Sequence, residues 1–160
     1  TGTAAVIVPV GATEQHGPNG LIGTDHMTAE AVARGVSEAT GALLAPSINY
    51  GMSHHHESFP GTVTLRPATF VSVMRDVASS LSKTGFTHVM FVNGEKGRRA
   101  AAASTAAAAT AADAPAIANG GSTSRARVKL ISWYAGRESS ALAKELYGDE
   151  VGQHATPDEV

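Results

Sequence analysis

The sequence predicts an α/β fold, a three-layer α/β/α sandwich with a largely parallel sheet. Short continuous apolar runs, typical of strands covered on both faces, alternate with longer segments of helical spacing. Polar loops rich in glycine and in His, Asp and Glu follow two of the apolar runs, where a parallel sheet places its functional residues. Strands that alternate with helices favour a layered domain, so we expect a single domain over residues 1–160.

The elements follow in order along the chain. Strands are predicted at 4–10, 42–45, 63–65, 88–92 and 128–133, and helices at 26–40, 68–83, 100–112 and 139–147. Thr24 or Asp25 could cap the first helix and Gly41 end it, while Pro67 suits the start of the second. The helix at 100–112 is predicted from alanine content alone, and alanine side chains offer little surface for packing against other elements.

Composition restricts the function further. The formal net charge of -2 gives no reason to expect nucleic acid or an anionic membrane as partner, and no apolar run approaches the length of a membrane span. We therefore expect a cytoplasmic protein. With no cysteine in the chain, any metal must be held by His, Asp or Glu, which are ligands for zinc, manganese, iron or magnesium. The chain begins with Thr1 almost directly before a strand, so we expect a domain that lacks segments at both ends.

Three residues in the first loop could bind a metal. Glu14 and His16 lie on the loop that leaves the first strand, and Asp25 follows near the start of a helix. Two carboxylates and an imidazole suit a divalent ion where no thiolate is present. The alternative is that the carboxylates are loop or cap residues and that His16 is solvated.

Several strings in this region resemble the signature of the creatininase (creatinine amidohydrolase) family. They are G-A-T-E-Q-H-G-P (11–18), G-T-D (23–25), Y-G-M-S (50–53), His56, F-P-G-T-V-T-L (59–65), G-F-T-H (85–88), F-V-N-G (91–94) and G-Q-H-A-T-P-D-E-V (152–160). Their number and order make the resemblance specific. It implies a metal-dependent amidohydrolase that cleaves a non-peptide or cyclic amide C–N bond with a metal-activated water. It also implies two divalent ions, zinc or manganese with iron or magnesium as further choices, and a homo-oligomer, often a hexamer.

The resemblance also assigns roles to residues. Glu14, His16 and Asp25 would be metal ligands, with Asp25 between two ions. His154 would move protons to the leaving nitrogen, and Glu159 would add a carboxylate near the site.

One position departs from the family pattern. Glu95 stands where the family has a ligand histidine after the N-G pair, and Gly97 stands where creatininase proper has a second ligand glutamate. An oxygen-richer set would favour manganese or magnesium over zinc. Lys96, Arg98 and Arg99 could instead repel a dication if they face inward. The alternative to an enzyme is therefore a non-catalytic creatininase-like subunit with an impaired metal site.

The remaining candidates belong to the substrate pocket. His54, His55 and His56 are adjacent, so they are not expected to share one ion, and His56 is the best candidate for a pocket wall. Trp133 is a possible substrate-binding residue, although its place in a predicted strand favours core packing. The expected substrate is a small-molecule amide.

Overall fold

The computed structural model describes residues 4–95 and 126–148. The elements are β1 (Ala5–Val10), α1 (Thr24–Thr40), β2 (Leu43–Leu44), α2 (Pro67–Lys83), β3 (His88–Asn93), β4 (Arg127–Ser132) and α3 (Arg137–Tyr147), with 3-10 turns at His54–His56 and Trp133–Ala135. In these residues no helix has the length and apolarity needed to cross a membrane.

The four strands form one parallel sheet in the order β2-β1-β3-β4. β1 pairs with β3 from Ala5↔His88 to Val10↔Asn93, and β3 pairs with β4 in step as far as Asn93↔Ser132. This register places the last residues of three strands side by side. The loops that follow these strands therefore leave the sheet at one common edge.

Helices cover both faces of the sheet. Val6, Val8 and Val10 pack with Phe70 and Met74 of α2 in one buried cluster. Their neighbour in sequence, Ile7, points to the other face because side chains alternate along a strand. It packs with Ala29 and Ala33 of α1, together with Val92, in a second cluster. The α/β/α sandwich predicted from the sequence is therefore confirmed.

The spacing of α2 explains its packing. Its apolar residues recur every three or four positions, so Phe70, Met74 and Ala78 form one fully buried stripe. Burying each of the two larger side chains contributes roughly 1.5–3 kcal/mol relative to leaving it exposed. Pro67 occupies the first turn, where its missing N–H costs no helix hydrogen bond.

Three predicted details of the elements are wrong. The cap of α1 is Gly23, with no side-chain cap hydrogen bond, because Asp25 lies within the first turn and its carboxylate is directed at His16. Residues 63–65 make a single bridge, Val63 with Thr13, rather than a strand. Trp133 begins a 3-10 turn after β4. The helix predicted at 100–112 lies outside the described residues.

Candidate metal centre

The site lies where β1 and β3 end against the start of α1. Gly11 follows β1, and a Cβ on it would collide with the backbone of His26. Gly94 follows β3, and a Cβ there would collide with the backbone oxygen of Asp25. Two residues without side chains thus allow both strand ends to touch the first turn of α1, which brings Asp25 to the edge of the sheet.

Glu14, His16 and Asp25 converge at this edge. Each offers one ligand atom, and these atoms lie within 4.8 Å of one another. Glu14 is 3% exposed and Asp25 is 7% exposed, so both carboxyl groups are removed from bulk water. The structure therefore brings together the three side chains that were predicted from the sequence to be metal ligands.

His16 is held between the other two residues. Its Nε2 lies 3.3 Å from Oδ1 of Asp25, and its Nδ1 lies 3.2 Å from the carbonyl oxygen of Glu14. Burial acts to lower the pKa of His16, but the hydrogen bond to Asp25 and the charge of Asp25, helped by Glu14, outweigh it and raise that pKa above its usual value. In the absence of metal, a proton on His16 partly neutralises the two carboxylates.

Glu95 extends from the end of β3 into the same region and is 1% exposed. Burial raises its pKa to about 8, and the charges of Glu14 and Asp25 add to the effect, while the Met52 backbone acts weakly in the opposite direction. Its carboxylate does not join the groups whose ligand atoms lie within 4.8 Å of one another among the described residues. Glu95 is thus a neighbour of the cluster and is not one of its three grouped residues.

Two hydrogen bonds hold the backbone of Glu95 in place. The carbonyl oxygen of Glu95 accepts hydrogen bonds from the hydroxyl of Tyr134, at 2.6 Å, and from Nδ2 of Asn93, at 2.9 Å. A Cβ on Gly51 would lie 2.6 Å from Oε2 of Glu95, so glycine there makes room for the carboxylate. Sequence analysis missed Tyr134 and Gly51 as residues of the site, and for Gly51 the Y-G-M-S string was the available signal.

Buried oxygen atoms at the site suit a cation. Oδ2 of Asp25 and both carboxylate oxygens of Glu95 are buried without a hydrogen bond of good geometry. Among the described residues, no Lys or Arg forms an ion pair with Asp25 or Glu95. Asp25 pairs with His16, but one imidazole cannot neutralise several buried carboxylates, and such groups either bind protons or coordinate metals. Together with His16, the donors fit a divalent ion with oxygen and nitrogen ligands.

A second group of possible ligands also contains Glu14. His55 and His56 each offer a nitrogen that, with a Glu14 oxygen, lies within the same 4.8 Å limit, and their ring centroids are 4.0 Å apart. The 3-10 turn brings the rings of His55 and His56 together. Whether these adjacent histidines share an ion stays a prediction. His54 is exposed, and its Nδ1 lies 3.1 Å from the Thr64 hydroxyl.

Trp133 belongs to the core. It is half-buried and packs against the cluster on the α1 face, with its ring centroid 6.0 Å from that of Tyr134. This position supports core packing over substrate binding. Five residues named in the sequence predictions lie outside the described residues: Lys96, Arg98, Arg99, His154 and Glu159.

Comparison with known proteins agrees with the motifs. A family model for creatininase, described as creatinine amidohydrolase, matches residues 1–160. A mycofactocin precursor peptide peptidase of Mycolicibacterium smegmatis is 43% identical over 98 residues, which are 58% of this chain and 39% of that protein. A creatinine amidohydrolase of Pseudomonas putida is 34% identical over 98 residues, 58% of this chain and 38% of that protein. The chain thus spans less than half the length of these curated relatives.

Solved structures give the same result for the fold. A manganese creatininase structure ("Creatininase Mn") superposes with a TM-score of 0.71 at 26% identity, covering 92% of this chain and 58% of that one. A mutant creatininase of the "Zn-Zn type" gives the same TM-score of 0.71 at 26% identity, covering 91% of this chain and 56% of that one.

Proposed function

The chain belongs to the creatininase family, and on that basis we propose that it carries the metal site of a metal-dependent amidohydrolase. The reaction we propose is cleavage of a non-peptide or cyclic amide C–N bond by a metal-activated water. The observation that carries the proposal is the convergence of Glu14, His16 and Asp25 within 4.8 Å, in a buried place with oxygen atoms that lack partners.

Three residues would hold the metal. Glu14 and Asp25 would supply oxygen ligands and His16 a nitrogen ligand, and Asp25 has a second oxygen, Oδ2, available for another ion. Two divalent ions are therefore part of the proposal. Zinc and manganese come first because they are the ions named for the relatives' structures, and iron or magnesium would suit the same donors. A divalent ion bound there would supply Lewis acidity that activates water and polarises the amide carbonyl.

The remaining residues of the site act on protons and on the substrate. In the metal-free protein burial raises the pKa of Glu95 to about 8, so it holds a proton at neutral pH. With a divalent ion bound, its charged form would be a further oxygen donor beside the cluster. His56 would form part of the pocket wall. From the family resemblance, His154 would transfer protons to the leaving nitrogen and Glu159 would lie near it. Assembly as a homo-oligomer is a further part of the proposal.

The relatives widen the choice of substrate. A peptide C–N bond is a second candidate, because the peptidase relative is 43% identical over 98 residues of this chain, compared with 34% over 98 residues for the creatinine amidohydrolase. The other alternative is a non-catalytic creatininase-like subunit whose metal site is impaired by the change at Glu95.

The test is hydrolysis of a panel of amides by the purified chain with manganese or zinc added. The panel contains creatinine, simple lactams, linear amides and short peptides. We expect turnover of at least one amide, and loss of at least 100-fold in kcat/KM in Asp25→Asn, about 2.7 kcal/mol of transition-state stabilisation. The control is Glu38→Gln, which changes an exposed carboxylate on the same helix. Metal binding without turnover of any amide would favour the non-catalytic subunit.

A further inference from the structure

The Glu14–His55–His56 group has the composition of a second metal site, but the hydrogen bonds around His56 argue against that use. Nε2 of Gln15 lies 2.8 Å from Nδ1 of His56. Either atom could in principle donate in this contact, because an imidazole nitrogen can be a donor or an acceptor. The direction of the bond therefore depends on what fixes the side-chain amide of Gln15.

The backbone fixes that amide. The N–H of Gly17 donates to Oε1 of Gln15 at 2.9 Å. A backbone N–H can only donate, so the oxygen of the amide must face Gly17 and the NH₂ group must face His56. Exchanging the two atoms of the amide would set two donors against each other at this distance.

The tautomer of His56 follows from this contact. Because the NH₂ group of Gln15 donates, Nδ1 of His56 must accept and cannot carry a proton. A neutral imidazole with an unprotonated Nδ1 carries its proton on Nε2. That nitrogen has no exposed surface, which places the N–H inside the protein.

We propose that Gln15 locks His56 in the tautomer with the proton on Nε2, which makes His56 a hydrogen-bond donor beside Glu14 and withholds it from metal binding. Neither ring nitrogen is then available to an ion, since Nδ1 accepts a hydrogen bond from Gln15 and Nε2 carries the proton. Metal binding is confined to the side of Glu14 that faces His16 and Asp25. This inference concerns the same site as the proposed function and rests on it only for the identity of the metal ligands.

Gln15 is in this account a positioning residue that sets how many ions the cluster accepts. The change Gln15→Glu preserves its size and its acceptor for Gly17. A carboxylate has no N–H, so it would accept from Nδ1–H of His56 and leave Nε2 free to bind a metal. Carboxylate–histidine pairs of this kind are the usual support of a metal-bound imidazole. One substitution should therefore turn the second group into a metal site.

The experiment is NMR of the ¹⁵N-labelled chain, with long-range proton–nitrogen correlations of the histidine rings, before and after addition of Zn²⁺. In the wild type we expect a protonated Nε2 on His56 without metal, and the same tautomer after Zn²⁺ has shifted the ring of His16. In Gln15→Glu we expect the proton on Nδ1 and binding of one more equivalent of Zn²⁺ than in the wild type. His54→Gln, in the same turn but outside both groups, is the control and should match the wild type.

The outcomes separate the two proposals. A proton on Nδ1 of wild-type His56, or a Zn²⁺-dependent change at its Nε2, overturns the inference whatever the variants do. If His56 has the expected tautomer but Zn²⁺ leaves His16 unaffected, the proposed metal site fails and the inference about Gln15 stands. The wild-type spectra decide the question even if Gln15→Glu does not fold.

Discussion

Glu95 illustrates how one residue can link the fold and the chemistry of the site. It lies at the end of a buried strand, so its carboxyl group has no water to stabilise a charge, and two further carboxyl groups stand nearby. Its pKa is raised from 4.5 to about 8 for these reasons. A divalent ion would reverse the situation, because it would favour the charged form of every carboxylate in the cluster.

The raised pKa predicts a pH dependence of stability in the metal-free protein. The folded state binds the proton of Glu95 more tightly than the unfolded state, so this contribution is complete below about pH 4.5 and is lost as the pH rises toward 8. We expect the free energy of unfolding to fall between pH 5 and 8, at most by roughly 1.4 kcal/mol per pH unit from this group. Urea denaturation in EDTA measures it.

Two variants isolate this effect. Glu95→Gln removes this titrating group and should reduce the pH dependence between pH 5 and 8, leaving the part that comes from the raised pKa of His16. Glu57→Gln changes an exposed carboxylate of the loop before α2 and should leave the dependence as in the wild type. A Glu95→Gln protein with the slope of the wild type would show that this carboxyl group does not couple to folding.

The same position predicts a change in metal affinity. Glu95→His restores the residue that the family motif has after N-G, and an imidazole binds zinc without having to lose a proton of pKa about 8. We expect Zn²⁺ to bind about tenfold more tightly at pH 7, or roughly 1.4 kcal/mol. Isothermal titration calorimetry gives the affinity. An unchanged dissociation constant would mean that the loop after β3 does not line the metal site.

A residue's part in the site could be predicted from the sequence only where a nearby motif contains that residue. Glu14, His16 and Asp25 could be predicted because a motif on one loop and one helix start contains all three. The surroundings of Glu95 could not, since Gly51 and Tyr134 are about 40 residues away in either direction and meet it only in the folded chain. The convergence of His55 and His56 depends on a 3-10 turn that three identical residues do not reveal.

At the scale of elements, the pattern of apolar residues determined most of the fold. The buried strands were predicted from short continuous apolar runs and the stripe of α2 from a spacing of three to four residues, and β1, β3 and α2 were predicted within two residues at each end. The cap of α1 was predicted wrongly, because Asp25 could serve as a cap or as part of the site, and its side chain pairs with His16. A short run such as 63–65 carries too little pattern to separate one bridge from a strand.

The contact between the strand ends and α1 predicts that replacing Gly94 destabilises the protein. In Gly94→Ala the new methyl group would meet the backbone of Asp25 and lie 3.2 Å from Cβ of Ala29. Because backbone must move, we expect a loss of roughly 1–3 kcal/mol in the free energy of unfolding, together with weaker metal binding. Chemical denaturation and Zn²⁺ titration measure the two effects.

Gly35→Ala is the matched control for this substitution. Gly35 lies in the middle of α1, and nothing stands within 4 Å of a Cβ there. Alanine should therefore stabilise the protein by up to about 1 kcal/mol through helix propensity. If both variants had the same stability as the wild type, α1 would not be held as closely against β3 as the structure has it.

At the scale of the whole molecule, apolar side chains remain on the surface. Leu142 and Leu146 of α3 are 54% and 63% exposed, and they lie four residues apart on one side of that helix. Exposed apolar groups of this kind favour contact with another protein surface. We predict that the chain self-associates, and that Leu142→Glu with Leu146→Glu reduces the association. Light scattering over a range of concentrations tests this, and a monodisperse monomer at every concentration would contradict it.

Metal content is the most direct measurement of the central claim, that Glu14, His16 and Asp25 form a metal centre. The purified chain is loaded with Mn²⁺ or Zn²⁺, desalted and analysed by mass spectrometry for metal per protein, beside Asp25→Asn and the control Glu38→Gln. The account predicts at least one equivalent in the wild type and in Glu38→Gln, and a loss of at least one equivalent in Asp25→Asn. Equal metal content in all three proteins, or none in the wild type with either ion, would contradict it.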